Sequence, residues 1–312
     1  MITLLLPPRD RFGGQRLSAD TGRALARGDR SQRSGDALSS ILDVLPRGWP
    51  AAAASRQRDA GDAANAAWLR ADPAYVQPDI NGARLLSYGD ALALGAADAA
   101  ALLKPLKPLF GDAGFPIDAP VPSRWYLRLP LGAKLPEFTS PEQALGADLF
   151  DELPQGPEGR RWRALLSEAQ VVLHNHPLNA QRAAAGLAPV NSLWFWGAGA
   201  LPDRVQSNYT RIASDDETLT ALAALGGVNI EAKPVSWNAR ADAANTLFDL
   251  RDARDLALLE RDWFAPLREA LAAGSLTQLR FDFDDGARYD LARSQRWRFW
   301  RRPLVSFVGA TS

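Results

Sequence analysis

Short apolar runs of strand length alternate along this chain with stretches of helical period, and that alternation narrows the fold more than any other feature. Residues 2–6, 67–73, 83–88, 124–129, 192–196 and 246–250 read as strands, bounded by Gly, Pro and Asp. Proline 73 is expected to end the second of them. Trp162, Leu165, Leu166, Ala169, Val172 and Leu173 recur at helical spacing and predict an amphipathic helix over 158–174. Leu256, Leu259, Trp263, Leu267 and Leu271 form another such stripe, closed by Gly274. Shorter helices are predicted around 21–26, over 36–45 before Pro46, and over 96–106 before the breaks at Pro105 and Pro108. Ser140 to Gln143 and Ser214 to Glu217 carry the capping-box pattern, the second leading a helix to Leu225. Residues 9–33 read mainly as surface loop, and 51–67 as a connection or loose helix. From 276 to 300 two alternating runs flank Asp284-Asp285-Gly286, which predicts a C-terminal antiparallel hairpin. The expected class is α/β, a mixed sheet flanked by helices. A single domain over 1–312 is expected, with 67–155 as a possible subdomain.

The 312 residues suffice for a large core. There is no cysteine, which excludes disulfides, thiolate nucleophiles, zinc fingers and iron–sulfur clusters. Lys+Arg and Asp+Glu both number 36, so no global field draws the chain to nucleic acid or an anionic membrane; only a local patch could. Zero net charge also favours self-association, so a homo-oligomer or protein partner is expected. The first residues read as a buried strand without the basic start of a signal peptide, and no apolar run approaches the length of a bilayer span. The expected location is the cytoplasm.

His174 and His176 are the only histidines. Any mechanism needing imidazoles from several parts of the chain is therefore excluded. In a helix, positions i and i+2 point to different faces, so the pair chelates poorly, and fixing the helix exit at Pro177 is the favoured role. Asn179, Arg182 and Asn191 follow closely. An arginine fork and two amides suit a phosphate or carboxylate, whereas Asn179 can instead cap a helix over 180–185 ended by Gly186. For Arg182 both readings stay open. Gly197 and Gly199 follow the strand Trp194-Phe195-Trp196 and could bring backbone amides to an anion. The third glycine of a dinucleotide fingerprint is missing, so a core strand with a tight turn is favoured. Arg70, Arg84, Arg124 and Arg128 lie in or beside strands and are uninformative singly. Trp297-Arg298-Phe299-Trp300-Arg301-Arg302 mixes bases and aromatics as a nucleic-acid stacking surface would. A half-buried edge strand is preferred there, so nucleic acid is not an expected partner. There is no G-x-S-x-G elbow, P-loop or H-E-x-x-H.

One stretch has a family likeness. His176-Pro177-Leu178-Asn179-Ala180-Gln181-Arg182, Gly186, Pro189-Val190-Asn191 and Trp196-Gly197-Ala198-Gly199 fall in the order and spacing of the H-P-x-N-x-x-R, G, P-x-N and W-G-x-G runs of archaeal-type cofactor-independent phosphoglycerate mutases. The chain resembles those enzymes there. It is similar to them more faintly at Arg70 with Asn81-Gly82-Ala83-Arg84, and at Ser123-Arg124-Trp125-Tyr126-Leu127-Arg128, where Ser123 stands in place of a histidine. With its Phe299-Trp300-Arg301-Arg302 tail it also resembles the RpfE-type regulatory proteins of xanthomonads. The resemblance implies a degenerate alkaline-phosphatase or mutase-like scaffold. The mutases use two divalent metals, held by aspartates and histidines, and a serine nucleophile. Here the early D-G-x-x-D run is replaced by Leu5-Leu6-Pro7-Pro8-Arg9-Asp10, and no histidine follows His176. Loss of metal-based stabilisation raises a barrier by at least several kcal/mol, on the order of what abolishes turnover.

The expectation is therefore a non-catalytic regulatory or binding protein without metal or cofactor, meeting a small phosphorylated or anionic ligand through Arg70, Arg84, Arg124, His176, Asn179, Arg182, Asn191 and Gly197. The alternative is a metal-independent phosphoryl-substrate enzyme using His176 as acid and base.

Overall fold

A computed structural model describes residues 1–79, 82–238 and 245–308. The chain forms two compact units, one from 1–47 with 204–312 and one from 48–203. Both are mixtures of sheet and helix, so the chain is α/β as its alternation implies. Segment 67–155 falls inside the second unit. Asn81 lies outside the described residues.

The first unit is built on a seven-stranded sheet in the order Asn229–Glu231, Arg211–Ala213, Thr246–Asp249, Ile2–Leu6, Gln278–Phe283, Ala287–Ala292, Asp29–Gln32. The first five run parallel, and each of the last two pairs antiparallel with the strand before it. Ile2–Leu6 is central and buried throughout, which is why it reads as a continuous apolar run. The edge strand Asp29–Gln32 is exposed and polar, the usual protection of a free edge. Its residues lack an alternating apolar pattern, so sequence periodicity places them in the loop over 9–33. Helix Ala19–Arg27 precedes it, capped by the Ser18 hydroxyl. Leu4, Leu6, Phe281 and Phe283 pack with Trp263, Phe264 and Leu267 of the helical stripe, which carries a π turn over Glu260–Phe264 and ends at Gly274 with φ +85°.

Two expectations change in this unit. Instead of a helix over 36–45, the chain forms helix Ala37–Ile41 and then strand Leu42–Leu45, whose residues alternate buried and exposed against Arg204–Ser207. The return arm of the hairpin stops at Ala292, and a 3-10 turn, Arg293–Trp297, follows. The helix at 217 starts as expected, but its cap is Asp216, not Ser214.

The second unit is centred on Ala67–Asp79, which pairs antiparallel with Ser192–Ala200 along one edge. Along its other edge it pairs with Arg124–Leu129 and then Gly82–Tyr88. Proline 73 does not end it. Those last two ladders cover 67–70 and 74–79, and Pro73 falls in the gap between them, where a missing N–H is tolerated. Helix Ala96–Asp112 likewise runs through Pro105 and Pro108. Its buried stripe Ala99, Leu102, Leu103, Leu106 and Phe110 continues across both prolines, and each large apolar side chain buried is worth about 1.5–3 kcal/mol against about 3 per proline. Residues 51–60 form a helix with Ala51, Ala52, Ala53 and Ala54 buried, and Gly156–His174 presents Trp162, Leu165, Leu166, Ala169 and Leu173 to the core. Trp162 stacks on Phe115 and meets Phe138 and Phe195 edge-on. Pro141–Ala144 is helical, but Ser140 makes no capping hydrogen bond.

Candidate functional site

The mutase-like run folds into a clasp in the second unit. At the end of helix Gly156–His174, the His176 N–H donates to Leu173, and His176 Nδ1 accepts the Leu178 N–H at 3.2 Å. The next helix is Leu178–Ala184, begun at Pro177, so Asn179 is not its cap. Asn179 instead ties two segments: its amide nitrogen donates to the Leu173 and Val190 carbonyls at 2.8 and 3.0 Å, and its oxygen accepts the Val190 N–H at 2.8 Å. Arg182 is 2% exposed, and its guanidinium donates to the carbonyls of Ala188 and Leu92. Asn191 completes the clasp. Its side chain accepts from the Val76 N–H at 2.9 Å and donates to the Val76 carbonyl at 2.7 Å, imitating a strand neighbour where the Ala67–Asp79 ladder is irregular. His174, Asn179 and Asn191 border a cavity of about 280 Å³.

Arg70, Arg124 and Gly197 gather elsewhere in this unit, beneath helix Ala51–Ala60. Arg70 makes a bidentate pair with Asp72, both bonds at 2.9 Å, and reaches Ser55 Oγ at 3.2 Å. Asp72 is fully buried and also accepts the Trp196 indole N–H at 2.7 Å. Residues two apart on a strand share a face, which is what sets this pair up. Arg124 clamps Asp59 at 2.6 and 3.0 Å, and the Tyr126 hydroxyl donates to Asp59 at 2.6 Å. Burial pushes Asp59 up, but Arg124 and Tyr126 outweigh it and hold the carboxyl below its usual range. Arg56 pairs with Asp62 and Asp118 while lying over the Trp68 ring. Gly197 has φ +66°, and a Cβ on it would sit 2.8 Å from that of Ala51, so its glycine seats the helix. Arg84 joins neither group; half exposed, it bonds Asp79 and the Gly146 carbonyl. The eight residues thus divide among separate places, and most of their donors and acceptors engage the protein itself.

A second cluster, in the first unit, escaped sequence reasoning. In parallel sheets, ligands gather at the carboxyl ends of the strands. There Asp249 ends strand Thr246–Asp249, and Ser214 and Asp216 follow strand Arg211–Ala213. Ser214 Oγ donates to Asp249 Oδ2 at 2.7 Å and accepts the Asp216 N–H at 3.0 Å. Arg251 lies where the two carboxylates converge. Its Nε and Nη2 grip Asp249 at 2.8 and 2.7 Å, and Nη2 reaches Asp216 at 2.8 Å. Burial pushes Asp249 up, yet the Arg251 charge and the Ser214 hydroxyl hold it below the ordinary carboxylate range. The signal was an acid at a strand end followed two residues later by an arginine, but it becomes visible only once the strands are known to run parallel.

A pair of divalent metals at this edge would need several free carboxylates or imidazoles. Among the described residues no three His, Cys, Asp or Glu side chains are grouped to hold an ion, and both carboxylates here already bind a guanidinium. The donor set does not fit the metals. Also among the described residues, no helix is long and apolar enough to cross a membrane.

No family model matches the chain. A segment of 102 residues, 33% of the chain, is 33% identical to the 2,3-bisphosphoglycerate-independent phosphoglycerate mutase of Methanosarcina acetivorans, spanning 25% of that protein. The protein of the same name from Methanosarcina barkeri is 39% identical over 72 residues, 23% of this chain and 18% of that one. The probable mutase of Geobacter sulfurreducens is 30% identical over 90 residues, 29% of this chain and 22% of its own length. The chain therefore matches a quarter or less of the length of these relatives. Among solved structures, the cofactor-independent phosphoglycerate mutase from Thermoplasma acidophilum aligns over 93% of this chain and 88% of its own, at 15% identity and a TM-score of 0.40. A Pyrococcus horikoshii protein aligns over 98% and 90%, at 11% identity and a TM-score of 0.42.

Proposed function

We propose that this protein acts by binding and not by catalysis: a regulatory protein, of the RpfE type in its resemblance, on a scaffold akin to that of the phosphoglycerate mutases. The observation that carries this is Arg251. A guanidinium that grips Asp249 and Asp216 blocks the place where a phosphoryl-transfer enzyme of this descent would gather metal ions, and it leaves Ser214 hydrogen-bonded to a carboxylate held below its usual range, a poor base. The anionic ligand stays part of the proposal. It is not assigned to Arg70, Arg84, Arg124 or Arg182, whose guanidiniums already meet protein acceptors. His176 loses Nδ1 to the Leu178 N–H, which weakens the case for an acid–base enzyme.

Purified protein incubated with 3-phosphoglycerate and manganese or magnesium is expected to give no 2-phosphoglycerate. Robust turnover that disappears in Ser214→Ala would overturn the proposal.

A further inference from the structure

The first unit holds a cleft of about 280 Å³ whose wall carries Arg23, Arg27, Arg268, Arg293 and Arg296 against a single acid, Asp20. Asp20 contacts Arg23 and Arg268. Among the described residues, the side chains of Arg27 and Arg293 have no hydrogen-bonding or ionic partner, and Arg296 has only the Trp297 ring, 4.8 Å away. Leu271 and Leu291 form part of the apolar lining. In a chain of zero net charge, such an accumulation on one cleft is a local positive field that Asp20, shared by Arg23 and Arg268, offsets only in part.

Arg296 links the cleft wall to an unusual surface, since its guanidinium lies over the Trp297 ring. The expected half-buried strand at 297–302 does not form; Trp297, Phe299 and Trp300 are 66, 77 and 68% exposed. The segment is nonetheless anchored. Arg298 bonds the Arg27 carbonyl and Asp29, and the Leu304 N–H donates to the Gly22 carbonyl of helix Ala19–Arg27. Gly22 admits it because a Cβ there would lie 2.1 Å from the Leu304 carbonyl oxygen. Three large rings are thus held in water, Trp297 against the Arg296 guanidinium and Phe299 against Trp300, where the hydrophobic effect alone would bury them.

We propose that this arginine cleft and the Trp297, Phe299 and Trp300 rings form a binding surface for single-stranded nucleic acid, phosphates lying along the arginines and unstacked bases on the rings. The inference deepens the binding reading above by naming its ligand class. Stacking on exposed rings needs bases free of a duplex, and guanidiniums recognise phosphate by paired donors. A small phosphorylated metabolite would fill the cleft but leave the rings in water. An anionic bilayer is flat and would meet the rings without entering the cleft.

The test is fluorescence polarisation of the full chain with labelled single-stranded RNA and DNA of about fifteen nucleotides at about 50 mM salt, with duplex and phosphatidylserine vesicles as parallel arms. Single strands are expected to bind, with affinity falling steeply as salt rises. Trp297→Ala with Trp300→Ala should weaken binding about tenfold or more, and Arg293→Glu with Arg296→Glu should abolish it. All four positions are exposed, so circular dichroism of the variants should match the parent. No binding at low salt, equal binding by these variants, preference for duplex, or capture by vesicles alone would each overturn the inference. None of these outcomes bears on turnover of 3-phosphoglycerate, which decides the non-catalytic reading separately.

Discussion

Replacing Arg251 with methionine removes three charge-assisted hydrogen bonds of 2.7–2.8 Å and leaves Asp249 and Asp216 without their shared cation. Asp216 is the lesser loss, since it still caps its helix through the Leu219 N–H. Asp249 is only 6% exposed and would keep the Ser214 hydroxyl and one long backbone contact. Stripping one partner from a buried pair costs about 3–5 kcal/mol, and because the Arg251 side chain is 23% exposed, water can partly replace it, which places the expectation near ~3 kcal/mol. Urea unfolding at neutral pH should report that loss. The pH dependence follows from the depressed Asp249 pKa. Its contribution is full above the unfolded value of about 3.9 and is lost as pH falls through the lower folded value. In the variant, burial acts unopposed by Arg251 and raises that pKa. The gap between parent and variant should therefore be widest near neutrality and close in acid. Adding Asp249→Asn to the variant should restore most of the loss by removing the orphaned charge. A deficit under about 1 kcal/mol, or one that does not change between neutral and acidic pH, would refute the view that charge pairing holds this edge together.

Gly197→Ala should lower stability by about 2–4 kcal/mol in urea, since it combines a left-handed backbone with a collision against Ala51; full stability would mean that the helix can slide. Asn191→Ala should cost about 1–3 kcal/mol by leaving the Val76 N–H and carbonyl without their side-chain partner, and hydrogen exchange should quicken at Val76. Trp162→Ala opens the aromatic cluster of the second unit and should cost about 3–5 kcal/mol, whereas Trp297→Ala, on an exposed ring, should leave the melting temperature nearly unchanged.

Much of the fold is legible because burial and period coincide. Ile2–Leu6 reads as a central parallel strand since both its faces are covered, and the stripe from Leu256 to Leu271 reads as a helix since one face is. Local rules fail where a tertiary neighbour overrides them. Pro73 looks like a strand end until the gap between its two partner strands is known. Pro105 and Pro108 look like helix breakers until the leucines around them are seen packed. The buried Ala51–Ala60 helix has little amphipathic signal because alanine gives almost none, while close packing needs its small side chains. Asn179 has the residue type of a helix cap, but its amide bridges Leu173 to Val190 and Pro177 begins the helix.

The chemistry was less legible, for a reason that bears on what the mutase-like motif means. The H-P-x-N-x-x-R and P-x-N runs stand out in sequence because several polar residues keep fixed spacing. In the folded chain Asn179, Arg182 and Asn191 use those polar groups on backbone atoms of Leu173, Val190, Ala188, Leu92 and Val76. A motif of that kind has a structural role of its own, because its hydrogen bonds hold strand and helix together. Arg251 is the opposite case. One arginine after one strand has no signature in a sequence with 36 basic residues, yet its fork decides whether Asp249 and Asp216 are free to bind a cation. Likeness in the clasp therefore bears on resemblance, and the guanidinium at the strand ends bears on whether Asp249 and Asp216 can take a cation, so substitution of Arg251 tests the functional proposal more directly than any change within the clasp.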